Sequence, residues 1–144
     1  MKKLFLVVVL CVGLICGCQA NNNSGGQYSD EVSKTQEIAV IPAGASDIIE
    51  TITDKKDIEE FVLSLDMNEW EIGELPKSAE EVGTFGLSQE ETIKLGQTET
   101  DSELYDVCKI VVYDEAYVDF EIGGLNMTFA VSEDTASYLN GFFK

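Results

Sequence analysis

Histidine is absent from all 144 residues. That removes Ser-His-Asp and Cys-His catalysis, imidazole proton relays, and most zinc and copper sites, which need a ring nitrogen that titrates near neutrality or coordinates metal. Cysteine is scarce, with four residues at Cys11, Cys16, Cys18 and Cys108. Positive charge is equally thin: 9 basic residues face 27 acidic ones, for a formal net charge of −18. A surface of this sign repels nucleic acid and anionic headgroups; it either attracts cationic peptides, basic proteins or divalent cations or simply keeps an exported protein soluble. No glycine-rich phosphate loop follows a strand, so nucleotide binding has no support. Neither a cofactor nor a metal is expected.

One long hydrophobic run is present. Lys2 and Lys3 precede an apolar stretch from Leu4 to Ile15 that is interrupted only by Gly13. A positive start and a short apolar centre are the layout of a secretory leader. The stretch is too short for a comfortable membrane span, which needs about 20 apolar residues. Ile15-Cys16-Gly17-Cys18 follows.

This segment resembles the lipobox of bacterial prolipoproteins, in which an aliphatic residue, a small residue and Gly or Ala precede the modified cysteine. Ile15 and Gly17 fit closely, while Cys16 is a less common occupant of its position. The resemblance covers the leader alone. It implies cleavage before Cys18, lipid on the Cys18 thiol, and attachment to the cell membrane on its extracytoplasmic side; ordinary secretion without lipid is the alternative. The division that follows is 1–17 signal peptide, 18–33 lipidated cysteine and flexible tether, and 34–144 a single globular domain. The tether assignment rests on Asn21-Asn22-Asn23-Ser24-Gly25-Gly26, which has no apolar periodicity. Loss of Lys2 and Lys3 with the leader takes the formal charge to −20. Cys11 and Cys16 leave too, so Cys108 has no partner for an intramolecular disulfide and reads as an inert core residue.

Within the domain, periodicity predicts an α+β fold: an antiparallel sheet, including a C-terminal three-strand meander, packed by two helices. Gln36 to Ile41 reads as an edge strand stopped by Pro42-Ala43-Gly44, and Asp47 to Thr53 as a weaker strand. Thr53-Asp54 caps a helix whose Ile58, Phe61, Val62 and Leu65 share one face. Leu104 to Tyr113 carries apolar residues on both faces, which predicts a central strand covered on both sides. Tyr117–Ile122 alternates, Gly123-Gly124 turns the chain, and Met127, Phe129 and Val131 alternate again. Ser132 caps a last helix with Ala136, Leu139 and Phe143 on its inner face. From Gly73 to Glu103 the pattern is weak. It predicts a hairpin of Thr84–Leu87 with Thr92–Leu95, or else a short helix capped by Ser88 and Glu91 and ended by Gly96.

Three site readings follow. Asp119 and Glu121 share a face beside Tyr117, and paired carboxylates can run glycoside hydrolysis; a solvated strand face is the plainer account. Asp101, Glu103 and Asp106 cluster, but their spacing does not match a calcium loop. Trp70, Tyr105, Tyr113, Tyr117 and Tyr138 would make a peptide- or sugar-binding surface, or simply pack. The combined expectation is a lipid-anchored binding module, not an enzyme, with no catalytic residue. Its partners are the membrane through Cys18 and a cationic peptide or envelope protein. A structural envelope role is the alternative, and a carboxylate hydrolase a more remote one. The mature part is similar to small lipoproteins of uncharacterised role.

Overall fold

Alternation does most of the folding in this chain. The structure, a computed structural model, describes residues 25–90 and 103–144. Among these described residues seven strands form one antiparallel sheet: β1 Glu37–Pro42, β2 Glu50–Ile52, β3 Glu71–Ile72, β4 Glu81–Glu90, β5 Leu104–Tyr113, β6 Tyr117–Ile122 and β7 Leu125–Ala130. Their order across the sheet is β2-β1-β4-β5-β6-β7-β3. The helices are α1 (Ser29–Val32), α2 (Lys55–Leu65) and α3 (Glu133–Asn140), with a 3-10 turn at Gly25–Tyr28 before α1. The fold is α+β as expected. Among the described residues no helix is long and apolar enough to cross a membrane.

Ile38, Val40, Phe85, Leu87, Cys108, Ile110, Val112, Val118, Phe120 and Phe129 are all buried. Register explains why they meet: Ile38 pairs with Leu87 and Leu87 with Cys108, while Val40 pairs with Phe85, Phe85 with Ile110 and Ile110 with Phe120. A period of two keeps each such row on one side of the sheet. Ile58, Phe61 and Leu65 of α2 and Leu139 of α3 join the same core. Phe85 sits at its centre, with ring centroids 4.9 Å from Phe61, 5.3 Å from Phe142 and 5.2 Å from Phe143. Gly83, on the same strand, leaves the room that the Phe143 ring fills.

Local chemistry sets the helix ends. The Asp54 side chain accepts from the Lys56 and Asp57 amides, two of the donors a helix leaves unpaired at its start. Ser132 does the same for Thr135. Asp66 ends α2 in the left-handed region at φ 48°. Trp70 then folds back under the helix, fully buried, its indole N–H donating to the Leu65 carbonyl at 2.7 Å.

Several expectations need correction. β1 is not an edge strand, because it pairs with β2 on one side and β4 on the other. Its Pro42 stands at the strand's last position, where a missing amide costs least. β5 is central, between β4 and β6, but the described residues cover only one of its faces; Lys109 is exposed and Val111 half-buried on the other. Antiparallel sheets tolerate one wet face, and this one has it. Ser88 starts no helix, since β4 runs through to Glu90 and pairs with β5. Thr92–Leu95 and Gly96 lie outside the described residues. Folded chain also begins before residue 34: Gly25 and Val32 are buried, and the Tyr28 ring lies 5.4 Å from that of Phe120.

Candidate functional site

The wet face of the sheet carries the carboxylates that the sequence singled out. Asp119 and Glu121 both point there, in rows with Val111 and Thr128 and with Lys109 and Asn126 respectively. Asp119 is half-buried and fully engaged: Tyr113 donates to its Oδ2 at 2.6 Å and Thr128 to its Oδ1 at 2.6 Å. The carboxylate thus ties β5, β6 and β7 together through side chains. Burial first, then the hydrogen bond to Asp119, then the charges of Asp119 and Glu81, push the Tyr113 phenol above its ordinary range.

That shift has a consequence for stability. Free tyrosine titrates near pH 10, and a folded-state value above it means the unfolded chain loses its proton first. The contribution is therefore complete below about pH 10 and declines as pH rises beyond it. Tyr113→Phe is expected to shrink the alkaline loss of stability, read from urea midpoints between neutral and strongly alkaline pH; an unchanged slope would contradict this.

Neither Asp119 nor Glu121 is among the residues that line the two grooves described below. The other sequence candidates also disperse. Trp70 is core, and Tyr138 packs 6.1 Å from Phe61 and 5.4 Å from Phe142. Tyr105 is exposed at the start of β5, and Tyr113 and Tyr117 are half-buried. Asp106 accepts from the Ser88 hydroxyl at 2.9 Å. Asp101 lies outside the described residues, as does Cys18. Among the described residues no three His, Cys, Asp or Glu side chains are grouped to hold a metal. Cys108 is buried, its thiol pushed up to about 12 by burial, as befits an inert residue.

The structure does form a groove that sequence reasoning passed over. It runs along α2, has a volume of about 730 Å³, and is lined by Ser33, Thr35, Gln36, Thr53, Lys55, Ile58, Glu59, Val62 and Leu63. Of its lining residues, Ile58 is buried, Val62 is half-buried against the core and Leu63 stands 79% exposed. Helical spacing contained the signal: Leu63 is apolar yet falls on nearly the opposite side of the helix from the stripe of Ile58, Phe61 and Leu65 that faces the core. Lys55 and Glu59 cross the rim at 3.9 Å, an exposed pair that holds little energy. A second groove, about 810 Å³, lies between the Asp114–Ala116 turn and α3 and is chiefly polar, with Asp114, Glu115, Glu133 and Lys144 among its walls.

No protein-family model matches the chain. No curated protein matches it. Among solved structures it is similar to a thioesterase-like protein from Clostridium sporogenes, at 20% identity and a TM-score of 0.45, over 76% of this chain and 94% of that one. On that finding the flat expectation that this chain is not an enzyme is withdrawn. The likeness carries no residue, substrate or reaction across.

Proposed function

We propose that the protein is a lipid-anchored extracytoplasmic domain that captures cationic, partly apolar peptide segments in the groove along α2. The observation behind it is an open groove with apolar side chains in its lining on a chain of charge −18, or −20 without the leader. The acidic field raises the local concentration of a basic partner and speeds encounter, while the apolar side chains hold it. Asp54, Asp57, Glu59, Glu60 and Asp66 all sit on or beside α2, against Lys55 and Lys56. Lipid on Cys18 keeps the domain at the membrane, two acyl chains being enough for firm attachment where one is marginal.

Leu63 tests the location. Covering an exposed leucine contributes about 1.5–3 kcal/mol, so Leu63→Ser is expected to weaken a fluorescent Lys/Leu amphipathic peptide roughly tenfold or more. Fold stability should stay within about 0.5 kcal/mol, because the side chain is exposed. Anisotropy titrations of both proteins measure the first, urea melts the second. Equal affinities would remove the groove from the account.

A further inference from the structure

Exposed apolar side chains occur at both edges of the sheet. Ile48 and Ile49 lie beside β2; Ile72 and Leu125 lie on β3 and β7 at the other edge. Five strand spacings separate β2 from β7, about 24 Å. The path of the chain distinguishes the two edges.

Gly25, the first of the described residues, is fixed near the β7 edge. Its amide donates to the Trp70 carbonyl at 3.3 Å, and a side chain there would press on the Trp70 ring and the Met67 carbonyl. Three residues on, the Tyr28 hydroxyl reaches the Met127 sulfur at 3.4 Å. Leu125 follows two positions away on the same face of β7 and is 58% exposed. Its register partner Ile122 is half-buried, and Gly123 and Gly124 between them, at φ 56° and 82°, form an uncharged tip. Ile72, paired with Phe129, adds a second exposed side chain, 54% accessible.

From Cys18 to Gly25 is seven residues, which at full extension span at most about 25 Å. A lipid on Cys18 therefore keeps Gly25, and with it the β7 edge, within about 25 Å of the bilayer, whereas the β2 edge lies about 24 Å further along the sheet. We propose that the uncharged tip at Ile122–Leu125, together with Ile72, rests in the headgroup region of the membrane that carries the anchor. The inference deepens the anchoring reading and depends on it. It also turns the α2 groove, which opens beside Thr53 next to β2, away from the membrane and towards a partner.

The test uses the full lipoprotein, reconstituted in zwitterionic vesicles with brominated acyl chains. A polarity-sensitive fluorophore is placed by Leu125→Cys, by Ile72→Cys, or by Leu63→Cys as the outward control. Cys108 is too buried to label, and lipid blocks Cys18. Loss of fluorescence at positions 125 and 72, with none at 63, is the expected result. Equal quenching at all three positions, or none at 125 and 72 in protein that floats with the vesicles, would overturn the proposed contact alone. Protein that fails to float would overturn it together with the anchor.

Discussion

Cys18→Ala is expected to empty the membrane-retained, lipid-labelled pool, leaving full-length precursor or released protein in its place. In the proposed anchoring the lipid sits on the Cys18 thiol, so a single atom decides retention. Each buried CH₂ contributes about 0.8 kcal/mol, and the attachment energy is lost as a whole when the chains are never added. Among the described residues no helix is long and apolar enough to span a bilayer, and the acidic surface is repelled by anionic lipid. Metabolic labelling with a radioactive or clickable fatty acid, followed by membrane fractionation, reads the outcome. Undiminished lipid labelling of the variant would contradict the lipid anchor.

The second large effect belongs to the core. Phe85→Ala should cost about 3–5 kcal/mol, the range for truncating a buried aromatic. Phe85 is fully buried, and its ring touches α2 through Phe61 and the C-terminal segment through Phe142 and Phe143. Its loss leaves a void bounded by three elements, the sheet, α2 and the C-terminal segment, that cannot collapse together. Urea melts give the difference directly, and Phe85→Leu, which keeps most of the volume, should recover more than half of it. A cost below about 1 kcal/mol would mean that these three elements pack less interdependently than their contacts imply.

How legible these features were depends on the side chains that carry them. The β5–β6–β7 meander was plain because Val118, Phe120 and Ile122, then Met127 and Phe129, alternate strictly around Gly123-Gly124. The α2 start was equally plain, since Asp54 offers a carboxylate where the helix needs one. β4 was obscure because Gly83, Thr84 and Gly86 dilute its pattern. Gly83 is small for a tertiary reason, the Phe143 ring, which no local window contains. β5 misled in a different way: Val111 looks like a core residue, yet it lies in a row with Thr84, Asp119 and Thr128 on the wet face. The turn at Gly25–Tyr28 gave no periodic signal at all, because it is held by Trp70, more than forty residues away. The site divided along the same line. Sequence located the acidic pair but could not show that Asp119 is spent on Tyr113 and Thr128. Nor could it show that segments 33–36 and 55–63 enclose a groove.

The central claim is that acidity and an apolar groove act together on one partner. The most direct measurement compares two peptides of identical apolar pattern, one carrying lysines and the other glutamates, titrated against the protein at low and high ionic strength. The account predicts that only the lysine peptide binds and that its affinity falls at least about tenfold as salt rises, as screening of an acidic field requires. Equal binding of both peptides, or a lysine-peptide affinity indifferent to salt, would contradict it.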